Sequence, residues 1–163
     1  MLAAELGIYG CGMAGSDPGM TPQAAAQVMR EQVESSIAGT LMERMEITVE
    51  EVTPERIVAS MPVAGNTQPY GLLHGGASAV LAETIGSMGA GINAAPHGRI
   101  PVGIELSCTH HRAARKGRVT AVGVPISSGR TLATWEIVIS DDEGNRICTS
   151  RLTCMLREAP PGG

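Results

Sequence analysis

The sequence predicts an α+β domain in which an antiparallel sheet of about five or six strands wraps around one long central helix. Three observations carry this expectation. The segment from about His74 to Ala94 is apolar nearly all round and free of proline, strand-type alternation lies before it, and turn residues separate four further strand candidates after it. Two strands, one buried helix and four further strands is the order of an α+β fold whose sheet can curl around its helix.

Residues 1–20 show no hydrophobic period and end in a Gly/Ser/Asp/Pro cluster, so they read as a loose extension, with Met20 an alternative start to Met1. A single domain is expected over residues 21–158 and a tail over 159–163. Thr21 and Pro22 pair an N-cap with proline at the first helical position, opening a short helix over residues 24–36. Residues 37–43 read as a connector that tucks Ile37, Leu41 and Met42 against the core. Met45, Ile47, Val49 and Val52 then alternate with polar residues. After a Thr53-Pro54-Glu55 turn, Ile57, Ala59, Met61 and Val63 alternate again, which predicts a hairpin. A loop over Gly65 to Tyr70 leads into the central helix, which Pro96 and Gly98 stop. Four more strands are expected over Ile100–Arg112, Arg118–Ser127, Leu132–Ser140 and Arg146–Leu156. The breaks at Arg115-Lys116-Gly117, Ser128-Gly129-Arg130 and Asp141–Asn145 all read as hairpin turns.

Composition narrows the function classes. The 163 residues carry a net charge of -4, with no Phe, one Trp and two Tyr, so neither a basic surface nor base-stacking platforms for nucleic acid are available. Cys11, Cys108, Cys148 and Cys154 lack metal-site spacing and read as small thiols in a reducing cytosol. The chain start has no charged n-region followed by a long apolar stretch, and a cytoplasmic protein is expected. Membrane insertion of the central helix is disfavoured because Glu83, His74, Asn93 and six glycines sit in or beside the only candidate window, without flanking Lys or Arg.

Glu83 is the only formally charged residue between Ile57 and Gly98. A carboxylate in such a run must be paired, neutralised or used. At 100° per residue Gly76, Val80, Glu83 and Ser87 share a stripe about 60° wide, while Leu81, Ile85, Met88 and Ile92 cover the other sides. The helix should therefore be buried on every face, with small residues permitting close approach. At its start, His74, Gly75 and Gly76 expose backbone N–H groups at the positive end of the dipole, where a carbonyl oxygen can approach. Glu83 lies about 12 Å farther along the axis, so one helix cannot easily present both groups to one bond. Two antiparallel copies can, which predicts a homodimer with two shared sites.

The run QPYGLLHGGASAVLAETIGSMGA, followed by VGIELSCTHHR and SSGRTLATWEI, resembles the hotdog-fold acyl-CoA thioesterases of the phenylacetate and 4-hydroxybenzoyl-CoA thioesterase group. The likeness spans residues 40–156 and extends to the bacterial aryl-CoA thioesterases of menaquinone synthesis and enterobactin-synthetase proofreading. Its motifs NxQ, HGG, AExxGSxG and HHR occur in that order. The resemblance implies thioester hydrolysis with Glu83 as nucleophile or general base, the Gly75 N–H and His74 polarising the carbonyl, and Gln68 orienting water or the leaving group. It further implies Ser87 and Met88 in the acyl pocket, Gly103 beside the pantetheine arm, and His110 and Arg112 near the pantetheine and phosphates. No metal or organic cofactor is implied. A homotetramer built as a dimer of dimers is implied, as is an acyl-CoA substrate, with 1,4-dihydroxy-2-naphthoyl-CoA and hydroxybenzoyl-CoA the leading candidates. An acyl carrier protein is the alternative carrier.

Each assignment has a plainer counterpart in the residues. Glu83 could pair with Arg112 or Arg99, His74 could merely cap the helix, Gln68 could brace its loop, Ser87 could bond the carbonyl four residues back, and Met88 could be core. Thr109–Arg118 could be a solvated hairpin end. A carrier-protein dehydratase would pair a catalytic His with its acid, a pattern not seen here. A non-catalytic acyl-CoA binder would tolerate loss of Glu83.

Overall fold

Around Thr53-Pro54-Glu55 the chain folds back on itself, with Thr53 and Arg56 exchanging backbone hydrogen bonds and the Thr53 hydroxyl accepting from the Arg56 N–H at 2.9 Å. The hairpin so formed opens the sheet in the computed structural model, which describes residues 31 and 33–158. The expected extension over 1–20, most of the helix expected over 24–36, and the tail over 159–163 lie outside the described residues. Glu31 and Val33–Ser35 are helical, and Val33 is buried in the core.

A one-turn helix, α1 (Leu41–Arg44), precedes β1 (Thr48–Val52) and β2 (Ile57–Pro62). The helical turn gives the core only one side of the connector. Ile37 and Met42 pack against the core, whereas Leu41 is 53% exposed, contrary to expectation. Strand β1 also starts later than the alternation suggests, because Glu46 adopts a positive φ of 53° that no extended strand accommodates. A register shift between Val49 and Glu51 then lets both Val49 and Val52 face inward despite their odd spacing. In β2, Val58 and Ser60 are buried as well as the inward Ile57, Ala59 and Met61. The Arg118 side chain folds over this outer surface and donates to Ser60 Oγ at 3.1 Å.

The central helix, α2 (Gly75–Ala94), follows the expected bounds, with His74 as its N-cap. It ends in a 3₁₀ turn, Ala95–His97, closed by Gly98 at φ 65°. Strands β3 (Arg99–His110), β4 (Arg118–Ser128), β5 (Leu132–Asp141) and β6 (Arg146–Glu158) complete a six-stranded sheet in the order β1-β2-β4-β5-β6-β3, every neighbouring pair antiparallel. The turns at Ser128-Gly129-Arg130 and Asp141–Asn145 are hairpins. The one at Arg115-Lys116-Gly117 is not: β4 takes its place beside β2, with Ala59 opposite Ala121, and β3 lies at the far edge against β6. Residues 111–117 therefore cross one end of the sheet instead of joining adjacent strands.

The concave face of the sheet holds α2. Leu81, Ile85, Trp135, Ile137, Ile139 and Leu152 are fully buried between them. Helix and sheet touch closely because glycine faces the strands: a methyl group at Gly89 would overlap the Trp135 indole, and one at Gly86 would stand 2.7 Å from Leu152 Cδ2. The helix is not closed on every face within one chain, however. Gly76 is exposed, and Val80, Glu83 and Ser87 are only half-buried, so the polar seam remains open along its side. No helix among the described residues is long and apolar enough to cross a membrane.

Candidate active site

The first helical turn is held by a laced loop. His74 N–H donates to the Asn66 carbonyl at 2.9 Å, and the Asn66 side-chain amide donates to the carbonyls of Met45 and Pro62, tying the loop to the end of α1 and to β2. Gln68 N–H donates to Leu72 O at 2.8 Å and Gly71, at φ 72°, returns a bond to Gln68 O, so the loop turns back and sets Gln68 beside the helix start. His74 Nδ1 accepts from the Gly76 N–H at 2.8 Å. That bond puts the proton of a neutral ring on Nε2, leaving an N–H donor beside the helix terminus. His74 is thus a cap, as its plainer counterpart had it, and as a cap it also keeps a donor available. The Gly75 N–H has no acceptor among the described residues, as the first amide of a helix has no intrahelical partner.

Strand β3 brings His110 onto this terminus. A methyl group at Gly75 would stand 3.2 Å from His110 Cε1, so the absent side chain makes room for the imidazole. Together these residues line a cleft of about 340 Å³. Gln68, Leu72, Leu73, Gly75 and Ser78 form one wall, and His110–Ala114 with Ile147 form the other. His110, His111 and Arg112 are exposed at its mouth, where Arg112 brings a formal positive charge. His111 Nε2 lies 2.9 Å from Thr149 Oγ1, which fixes its ring. Arg112 stands near Asp141. Partial desolvation raises the Asp141 pKa, but hydrogen bonds from Asn145 and from the Asn145 and Glu143 N–H groups, with the Arg112 charge, bring it below the ordinary carboxylate value.

The other expected residues form a second cluster. Glu83 Oε1 accepts from Ser87 Oγ at 3.0 Å, one helical turn away, and Ser87 Oγ lies 3.9 Å from Cys154 Sγ. Glu83 forms no ion pair among the described residues: Arg99 donates to the carbonyls of Arg130 and Leu156, and Arg112 lies in the cleft. Gly103, at a register shift in β3, lies directly against the carboxylate, and a methyl group there would overlap Glu83 Oε1. Burial pushes the Cys154 thiol above its ordinary value. The hydrogen bond with Ser87 opposes this and the nearby Glu83 charge adds to it, so Cys154 stays protonated at neutral pH. Met88 is buried in the core, and Tyr70 is 82% exposed, outside the cleft.

One chain therefore carries two separate groups: a helix terminus with Gln68 and His110, and a carboxylate with Ser87. The first has N–H donors of the kind that can meet an oxyanion, and the second a carboxylate of the kind that can act as nucleophile or base. Sequence reasoning missed Ser78, His111 and the lacing role of Asn66. Asn66 stands in the NxQ motif and Ser78 one turn past the glycine pair, but neither position predicts its contacts.

Residues 70–148 match the family model described as the thioesterase superfamily. The chain is 47% identical over 127 residues to the proofreading thioesterase EntH of Cronobacter sakazakii, covering 77% of this chain and 92% of that one. Among solved structures, a glutamine-to-alanine mutant of a thioesterase from Pseudomonas aeruginosa has a TM-score of 0.75 at 41% identity, covering 78% of this chain and 92% of that chain. A thioesterase from Haemophilus influenzae has a TM-score of 0.74 at 33% identity, covering 82% and 94%. Sequence and fold agree, and the chain belongs to the thioesterase superfamily as a thioester hydrolase of the hotdog fold.

Proposed function

We propose that the protein hydrolyses acyl-CoA thioesters, with a preference for hydroxylated aryl groups such as 1,4-dihydroxy-2-naphthoyl or hydroxybenzoyl, in sites shared between two copies of the chain. The observation that carries this reading is the separation of Gly75 and Glu83 on one helix, about 12 Å along its axis, each with its own cluster of partners. Antiparallel apposition of two helices would bring Glu83 of a second copy to the Gly75 terminus of the first. Two features favour such pairing: the half-open polar seam, and β3 as a twelve-residue edge strand with Val102 and Ile104 exposed. The thioester carbonyl would accept from the Gly75 N–H and His74, and Gln68 would orient water or the leaving thiol. Glu83 would attack the carbonyl carbon or take a proton from the attacking water. The C–S bond then breaks and the proton drawn from water passes to the leaving thiolate; where Glu83 has attacked the carbon, that water hydrolyses the resulting mixed anhydride and restores the carboxylate. Ser87 would hold the carboxylate, Gly103 would admit it, and His110 and Arg112 would receive the CoA end. A tetramer through the outer sheet faces would complete the assembly.

Complementation tests the shared site. Glu83→Ala and Gln68→Ala chains, each inactive alone, should recover about a quarter of wild-type activity after statistical subunit exchange, since each mixed dimer holds one intact site. No recovery after demonstrated exchange would place each site within one chain.

The likeness to a proofreading thioesterase favours one second reading, in which the acyl group is carried on an aryl carrier protein. Comparing kcat/KM for benzoyl, hydroxybenzoyl, naphthoyl and C4 to C16 thioesters, on CoA and on carrier protein, separates the two. Hydroxyaryl groups should exceed palmitoyl by about tenfold or more, because a long alkyl chain leaves polar groups of a dry site unpaired. A maximum at a long aliphatic chain would overturn the aryl preference and leave hydrolysis standing.

A further inference from the structure

Ser78 is 1% exposed, lines the cleft, and its hydroxyl has no hydrogen-bond partner among the described residues. A serine inside a helix ordinarily bonds the carbonyl four residues back. Here that oxygen, of His74, already accepts from the N–H groups of Ala77 at 2.9 Å and Ser78 at 3.3 Å. A buried hydroxyl without a partner is destabilising. The other such group, Trp135 Nε1, lies in the core rather than on the cleft.

The cleft is polar at two levels. His110, His111 and Arg112 stand exposed at its mouth, while Ser78 lies on the floor with buried Ala114 and Ile147. With a polyanionic carrier held by Arg112 at the mouth, as the reading above has it, the part of the ligand that would reach the floor is the acyl group. Ser78 follows Gly75 by three residues, about 4.5 Å along the axis. With a carbonyl oxygen on the Gly75 N–H and the acyl group turned along the cleft, a hydroxyl on the carbon next but one to the carbonyl carbon would be the group directed toward that position. Such a hydroxyl is ortho on an aryl ring or β on an alkanoyl chain.

We propose that Ser78 is a specificity-determining residue whose hydroxyl bonds an ortho or β hydroxyl of the acyl group. The assignment rests on the thioester reading above and names the atom that would select within it.

The test pairs 2-hydroxybenzoyl-CoA with benzoyl-CoA for turnover, and the non-hydrolysable thioethers 2-hydroxyphenacyl-CoA and phenacyl-CoA for binding. Wild type should favour the hydroxylated member of each pair about five- to tenfold, the value of one hydrogen bond. Ser78→Ala should remove that preference by weakening only the hydroxylated member, and Ser78→Thr should keep it. Dividing the wild-type ratio by the Ser78→Ala ratio cancels the difference in intrinsic reactivity. No preference in wild-type binding, a ratio unchanged in Ser78→Ala, or equal loss of both members overturns the proposal whether or not turnover occurs. Analogue binding without hydrolysis of either thioester overturns only the hydrolytic reading, and Ser78 is then judged on the binding ratio. Failure to bind either analogue overturns both.

Discussion

Glu83→Gln is expected to bind acyl-CoA thioesters with little change in affinity while turnover falls on the order of 10² to 10⁴ fold, the range general base catalysis commonly supplies. The substitution is close to isosteric. Its side-chain oxygen can still accept from Ser87 and still rest against Gly103, so the local structure survives and only the capacity to attack or to take a proton is lost. Single-turnover hydrolysis, read by thiol release alongside calorimetric affinity for a phenacyl-CoA analogue, separates chemistry from binding. Near wild-type turnover would sink the assignment and make Glu83 a structural anchor for Ser87.

Gly89→Ala should destabilise the fold by about 1–3 kcal/mol through overpacking, although alanine in a helix interior is itself favoured over glycine by about 1 kcal/mol. The sign follows from what the methyl meets. The Trp135 benzo ring is fully buried, and a methyl on Gly89 would overlap it. Urea unfolding should show a lower midpoint at unchanged slope. Combining the change with Trp135→Leu should cost less than the sum of the two single changes, because the smaller side chain vacates the contested space. Additive losses would mean that helix and strand can separate here without penalty.

These two residues also mark how far the sequence could be read. Glu83 stood out as a candidate because it interrupts a long uncharged run, and the expectation of two copies rested on helical rise alone. The bounds of α2, with His74 as cap and Gly98 as stop, were legible because caps are local. So were the extents of β5 and β6, which turn residues bound. Gly89 shows the limit: a small residue on a helix announces a close neighbour without naming Trp135. Strand order was misread at Arg115-Lys116-Gly117 because turn chemistry identifies a reversal and leaves the partner strand open. The pairing of β4 with β2 is decided by apolar faces distant in sequence. His110 against Gly75 and Gly103 against Glu83 are contacts of the same non-local kind. The late start of β1 was hidden in a single backbone angle, at Glu46.

The strand order has a further consequence, for how the chain reaches its native state. Strands β4, β5 and β6 follow one another through short hairpins and can assemble from local contacts. The pairs β2–β4 and β3–β6 instead join segments far apart in the chain, and the closing of those long loops costs entropy before it returns contact energy. A three-stranded meander should therefore form first and offer Trp135, Ile137 and Leu152 as the platform on which the central helix condenses. The outer strands then close over an already seated helix, and the edge that leaves β3 bare is the last part of the sheet to be defined.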